Sequence, residues 1–318
     1  MSEEAETNAP AVLGIVGPTA SGKSDLALAV AKVLPLEILV ADSRQVYRGM
    51  DVGTAKPPAS ARWAVPHHLI DLVEPDQRFT VADWVRRARA LVPEVAARGR
   101  LPLIVGGSGL YVAALVGGHD YAGQPADAAL RARLADELGS GGFEPLVARL
   151  TDVAPEVAAV TDLRNPRRVL RALERALGGG VEPARDAYAG AVTLIGLERP
   201  REVLYRRIDA RAEWLFANGL LDEVRALMAA GHGPQLRPMT GHGYAEAMRH
   251  LAGEWTLEEA IDGTARRTRQ YAKRQLTWFR HQADVAWIDA GDHPGDDPAL
   301  LTQAIGLLEP GIGAHRLP

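Results

Sequence analysis

The chain has 318 residues, 24% charged and 47% apolar, and carries a net charge of −4. Such a composition is ordinary for a globular protein and sufficient for one large core or two moderate ones. Cysteine is absent, which excludes thiol nucleophiles, disulfides and cysteine-ligated zinc and suits a cytoplasmic protein.

Residues 1–10 are polar and acidic with no apolar core, so they read as a frayed start and not as a signal peptide. Residues 12–16 read as a buried strand, followed by a glycine-rich turn and a helix over 24–34. A second short strand is expected at 38–41, ending at Asp42, and a third at 68–73. Residues 81–97 have helical apolar spacing, and 103–105 form another buried strand that runs into glycines and a helix. The uncharged run 101–118 is broken by Pro102, Gly106, Gly107 and Gly109. A spanning helix needs about 20 continuous apolar residues, so no membrane segment is expected. From 119 to 190 helical stretches are punctuated by glycines at 139–142 and 178–180, without a convincing strand. A strand returns at 192–197, residues 201–282 are mainly helical, and a last strand is expected at 285–288. Alternating strands and helices predict an α/β fold with a parallel, doubly wound sheet. One core domain with C-terminal helices would comprise 1–118 and 191–318, interrupted by a helical insertion domain at 119–190.

The glycine-rich turn reads G-P-T-A-S-G-K-S, a full match to G-x-x-x-x-G-K-[ST] in its strand–loop–helix setting. The core is therefore a P-loop domain. Gly17, Pro18, Thr19, Ala20, Ser21, Gly22, Lys23 and Ser24 would bind phosphates, because backbone amides and a helix N-terminus converge there. Lys23 would reach the terminal phosphate, and Ser24 would hold Mg2+. The motif specifies a phosphate chain without saying whose, since kinases, ATPases and diphosphate-releasing enzymes share the cradle. Asp42 follows the second strand, at the carboxyl edge where ligands of open α/β sheets bind. It could ligate magnesium through water or accept a proton. Alone, it reads equally well as a turn aspartate.

Further blocks make the chain specific: D-S-R-Q-V-Y-R-G-M-D-V-G-T-A-K-P from Asp42, P-H-H-L-I-D from Pro66 and V-G-G-S-G-L-Y from Val105. Leu204, Arg207, Ile208 and Arg211 are followed by Gly219, Glu223 and Val224, and R-Q-Y-A-K-R-Q-L-T-W-F-R starts at Arg269. With the P-loop, these blocks resemble the tRNA dimethylallyltransferase (tRNA isopentenyltransferase) family over nearly all of 14–280. Ser108 stands where the family more often has threonine, Leu215 where methionine is expected, and His242 where an aliphatic residue is expected. The resemblance implies transfer of a dimethylallyl group from dimethylallyl diphosphate to N6 of the adenosine 3′-adjacent to the anticodon of tRNA, with release of diphosphate. It implies Asp42, Ser108 and Arg211 as catalytic residues, with Arg207 one helical turn earlier sharing the diphosphate. It also implies tRNA contacts from Asp42, Ser43, Arg44 and Gln45. The chemistry agrees with the residues. An exocyclic adenine amine is a poor nucleophile that needs a base such as Asp42, and the leaving diphosphate needs Lys23, magnesium and an arginine. Ser108, on a turn between strand and helix, reads as a helix N-cap as readily as a partner of the amine or of Asp42.

Two basic stripes bear on tRNA. Asn165-Pro166 reads as the start of a helix on which Arg168, Arg171 and Arg175 share a face, flanked by Arg167. A solvated helix paired with Glu174 and Asp162 is the plainer reading. The second stripe, 264–280, holds six basic residues (Arg266, Arg267, Arg269, Lys273, Arg274 and Arg280) and no acidic one. Arg266, Arg269, Lys273 and Arg280 share a helical face, with Tyr271, Trp278 and Phe279 interleaved. Phosphates would meet the basic face and splayed bases the aromatic rings. At least one of Trp278 and Phe279 is expected in the core, whereas the basic face has no comparable structural explanation. A monomer is expected. Two other readings remain open: a prenyltransferase of free adenine nucleotides, which would need neither stripe nor insertion, and a P-loop kinase of a small metabolite.

Overall fold

The structure is a computed structural model describing residues 9–117, 128–178 and 187–314; residues 1–8 of the expected frayed start and the 118–127 and 179–186 stretches of the expected insertion lie outside them. The chain divides into two compact units: Met1–Gly117 with Ala187–Pro318, and Gly118–Asp186. In chain order the first unit begins β1 (Val12–Val16), α1 (Lys23–Ala31), β2 (Leu36–Ala41), α2 (Ala59–Ala64), β3 (His67–His68), α3 (Val81–Ala97), β4 (Leu101–Gly106) and α4 (Gly109–Val116). The second unit holds α5 (Ala128–Gly141), α6 (Glu144–Val153), α7 (Pro155–Val160) and α8 (Pro166–Leu177). The first unit then resumes with β5 (Val192–Glu198), α9 (Arg201–Ala217), α10 (Leu220–Ala229), α11 (Tyr244–Leu251), α12 (Leu257–Gln282), β6 (Ala286–Asp289) and α13 (Pro298–Ala314).

Among the described residues one sheet forms, in the order β3-β2-β4-β1-β5-β6, and every pairing is parallel. Parallel sheets need cover on both faces, and β1, β2 and β4 are buried throughout. On one face Leu39, Ile104 and Val12 pack with Trp84 of α3, Val112 of α4 and Phe279 of α12. On the other, Leu13, Ile15, Leu103 and Ile195 pack with Leu26 of α1 and Leu300 and Leu308 of α13. The second unit has its own core, including Leu134, Leu150, Val169 and Leu173.

The strand ends matter most for function. Val16 of β1 and Ala41 of β2 both lie in register with Gly106 of β4. The next residues, Gly17, Asp42 and Gly107, therefore leave the sheet side by side. The strands can sit this close because Gly106 has no side chain; a Cβ there would lie 2.1 Å from the Ala41 carbonyl oxygen.

Three expected bounds shift for physical reasons. β2 begins two residues early, at Leu36, because buried Glu37 is neutralised by a bidentate pair with Arg98 (2.9 and 2.7 Å) and by His68 at 2.6 Å. α1 stops at Ala31, close before Pro35, which disfavours helix at the residue ahead of it. The strand expected at 68–73 ends at His68, since Leu69 and Asp71 take left-handed φ values of 65° and 55°. That segment turns onto the loop after β2 instead, where the Leu72 amide donates to Val46 O at 2.7 Å.

Candidate active site

At the P-loop, Gly17 (φ 137°), Ala20 (φ 63°) and Gly22 (φ 96°) bend the backbone so that α1 starts at Lys23 with its amides open to the loop. Gly17 also approaches β5 closely, with room for no Cβ against Leu197 O. Three side chains hold the loop in place. Arg199 donates from Nε to Ser21 O at 2.7 Å, Arg207 from Nε to Ala20 O at 3.0 Å, and Gln275 accepts from the Thr19 amide at 2.9 Å. Gln275 also donates to Gly107 O at 2.9 Å, so one buried side chain of α12 clips the P-loop to the turn after β4. Lys23 Nζ donates to Pro18 O at 2.5 Å. Burial, and next the Arg211 charge, pull the Lys23 amine down to about 7, with Asp42 opposing them.

Asp42 is held by its own turn: Oδ1 accepts the amides of Arg44 at 2.7 Å and Gln45 at 3.3 Å. Ser108 occupies the N-cap position of α4, yet its hydroxyl does not cap that helix. Instead it accepts the Ser43 amide at 3.0 Å, tying the turns after β2 and β4 together. Burial and then the Asp42 charge push the Tyr271 phenol up to about 12, so it stays neutral. Arg211, on α9, has its charged form disfavoured by burial and supported by Asp42 and Asp25.

Two cavities meet here. One, of about 330 Å³, is lined by Lys23, Ser24, Asp25, Gln45 and Arg207 together with apolar Leu28, Ile38, Val40, Val105, Pro57, Pro58 and Ala61. The other, of about 370 Å³, is lined by Ser43, Arg44, Thr54, Thr240, His242, Arg267, Thr268 and Arg274. Thr19, Asp42, Arg211 and Tyr271 line both.

The framework around the cavities draws on residues of the quoted sequence blocks. Glu223 accepts the amides of Asp51, Val52 and Gly53 at 2.6–3.0 Å and the Tyr244 hydroxyl at 2.5 Å. Lys56 is buried and joins Asp51, Asp71 and Tyr47 O. Gln45 donates to Thr54 O at 3.1 Å, and Arg44 to Arg237 O at 2.5 Å. Gln275 had a signal in hindsight: it lies four residues after Tyr271, on the same helical face.

Among the described residues no three acidic or histidine side chains cluster to cage a metal. Mg2+ does not require such a cage, because it keeps waters and substrate phosphates and takes one or two carboxylates. Ser24, Asp25 and Asp42, lining one cavity with the P-loop, fit that pattern.

The stripes are placed as follows. Asn165 caps α8, accepting the amides of Arg167 (3.1 Å) and Arg168 (3.3 Å). Arg167, Arg168, Arg171 and Arg175 are exposed; Arg171 pairs with Glu174 at 3.2 Å, a carboxylate that Arg131 already holds through two 2.8 Å bonds. Asp162 pairs with Arg164 at 3.6 Å. On α12 the expectation of an unexplained basic face needs correction. Arg269 pairs with Asp209, Arg267 with Glu246, and Arg280 with Glu198 at 2.6 Å. Arg266, Lys273 and Arg274 are exposed and, among the described residues, have no carboxylate partner. Phe279 is fully buried, and half-buried Trp278 packs edge-on against it at 5.1 Å.

Fold and cavity together make the chain a P-loop α/β transferase. A family model described as IPP transferase matches residues 45–282, and one described as isopentenyl transferase matches residues 10–62. The tRNA dimethylallyltransferase of Syntrophobacter fumaroxidans is 46% identical over 293 residues, which cover 90% of this chain and 85% of the relative. That of Anaeromyxobacter sp. (strain K) is 46% identical over 309 residues, 94% of this chain and 98% of the relative. The crystal structure of the full-length tRNA isopentenylpyrophosphate transferase of Bacillus halodurans, 40% identical, covers 96% of this chain and 98% of its own, with a TM-score of 0.70. A eukaryotic dimethylallyltransferase crystallised acting on tRNA is 24% identical and shares the fold, with a TM-score of 0.81 over 96% of this chain and 80% of its own. The chain belongs to the tRNA dimethylallyltransferase family.

Proposed function

We propose that the chain transfers the dimethylallyl group of dimethylallyl diphosphate to N6 of the adenosine 3′-adjacent to the anticodon in tRNA, releasing diphosphate. The observation that carries this reading is the meeting of two unlike cavities at Asp42, Arg211, Tyr271 and Thr19. The first offers phosphate ligands beside an apolar wall, as a prenyl diphosphate requires. The second offers arginines and hydroxyls, as a nucleotide strand requires.

The N6 lone pair attacks C1 of the dimethylallyl group while the C1–O bond breaks, and its electron pair leaves with the diphosphate. Asp42 takes the proton released from N6, its carboxylate held ready by the amides of Arg44 and Gln45. Lys23, Arg207, Arg211 and the open amides of α1 stabilise charge on the departing oxygen. Mg2+ bound at Ser24 would supply Lewis-acid neutralisation of that charge. Tyr271, a neutral phenol that lines both cavities, marks the boundary between the substrates. Phosphates of the RNA are met by Arg167, Arg168 and Arg171 of α8 and by Arg266 and Lys273 of α12, and the enzyme works in the cytoplasm.

The test is mass spectrometry of nucleosides from unmodified tRNA incubated with the protein, Mg2+ and dimethylallyl diphosphate. Prenylated adenosine is expected in tRNA and not in AMP supplied as acceptor. Phosphate transfer from ATP to a small metabolite, without prenylation, would overturn the reading.

A further inference from the structure

His242 lies in the cavity lined by arginines and threonines, at the turn that starts α11. Its backbone is rigidly set. Gly243 follows at φ 88°, and its amide donates at 2.8 Å to Glu246, a buried carboxylate that also pairs with Arg267. Neither ring nitrogen has a hydrogen-bond partner among the described residues, although the ring is half-buried. It lies 5.2 Å from the Tyr271 ring, tilted by 54°. Tyr271 itself borders both cavities and carries the Arg274 guanidinium 5.8 Å over its ring. The third aromatic residue of this cavity, Tyr244, is fully buried with its hydroxyl bonded to Glu223. His242 is thus a fixed ring of this wall whose nitrogens have no hydrogen-bond partner among the described residues.

We propose that His242 stacks on the acceptor nucleobase as that base enters the second cavity toward Asp42, making it a substrate-binding residue of this enzyme. The proposal rests on the acceptor being a nucleobase, as argued above. Stacking needs a flat, preorganised ring, and the Gly243–Glu246–Arg267 network supplies the rigidity. Burial and the nearby charges of Arg267, Arg44 and Arg274 pull the imidazole down to about 4, against the opposing effect of Glu246. The ring is therefore uncharged at any working pH. An uncharged ring offers its face to a base without adding another cation to a cavity that already holds four arginines.

The experiment measures KM for an unmodified anticodon-arm RNA and for dimethylallyl diphosphate in wild type, His242→Leu and His242→Phe. Loss of the ring in His242→Leu should raise KM for the RNA about tenfold. His242→Phe, which keeps a ring face, should stay within about twofold of wild type. KM for dimethylallyl diphosphate should be the same in all three. An unchanged RNA KM in His242→Leu overturns the proposal. So does an equal rise in both variants, or a donor KM that rises in step with the RNA KM. Wild-type protein that fails to prenylate the RNA would refute the proposed function instead, so the two failures are distinguishable.

Discussion

The two cavities that meet at Asp42 are similar in size and built in opposite ways. The first is built around one local motif: P-loop residues Thr19, Ala20, Gly22, Lys23 and Ser24, then strand ends brought side by side by parallel register, with only Arg207, Arg211, Tyr271 and Gln275 added from α9 and α12. The second is assembled from residues far apart in the chain, from Arg44 to Arg274, held by contacts such as Glu223 on the amides of 51–53. Where recognition depends on backbone conformation, the chain must supply neighbours in order. Where it depends on side chains projecting from packed helices, the order is free and the packing decides.

The substitution with the largest expected effect strikes the residue both cavities share. Asp42→Asn keeps the shape of the side chain and removes its proton acceptance, so turnover should fall on the order of 10²- to 10⁴-fold. Binding of tRNA, measured by filter retention, should change little. Near-wild-type turnover would remove Asp42 as the base and leave it a turn residue held by the amides of Arg44 and Gln45.

The difference between the cavities also explains how much of the protein is legible in its sequence. The central strands could be read because each is a short apolar run ending in a turn signal. The P-loop could be read because glycine conformation is local. The bonds that Gln275 makes could not, since its partners, Thr19 and Gly107, lie 256 and 168 residues away. The third strand was overestimated because left-handed conformations at Leu69 and Asp71, neither of them glycine, leave no mark in composition. The ion pairs of the basic face of α12 leave no mark in its own sequence either. Asp209, Glu246 and Glu198 lie on other elements, so a search along the helix itself finds no counter-charge.

A second substitution should separate the cavities. Lys23→Ala removes charge from the phosphate cradle alone, so the KM for dimethylallyl diphosphate should rise and the chemical step should slow, with tRNA affinity unchanged. The pH dependence sharpens this. In the free protein the Lys23 amine is pulled down to about 7, so it is charged below that pH and neutral above it. Diphosphate binds the charged form, and donor affinity should therefore fall as pH rises from 7 to 9, by at most about tenfold per unit. Titration calorimetry across that range should find proton uptake on binding in wild type and much less in Lys23→Ala. Equal pH dependence in the two proteins would mean that the diphosphate's own ionisation accounts for it.

The smallest effect tests whether the corrected view of α12 is right. Arg266 and Lys273 are exposed and have no carboxylate partner among the described residues, whereas Arg269 is engaged with Asp209. If the two unpartnered residues neutralise phosphates, replacing both with alanine should flatten the log–log salt dependence of tRNA binding. Each lost contact to single-stranded phosphate should lower the slope by roughly 0.7, and each to duplex by roughly 0.9. Arg269→Ala should leave the slope alone, because its charge is already met within the protein. It should cost only about 0–1 kcal/mol of stability, as expected for a partly exposed ion pair. Binding across a salt series with both variants decides the matter. A slope change in Arg269→Ala as large as half that of the double variant would mean that the RNA displaces Asp209. The whole basic face, including its paired members, would then belong to the tRNA surface.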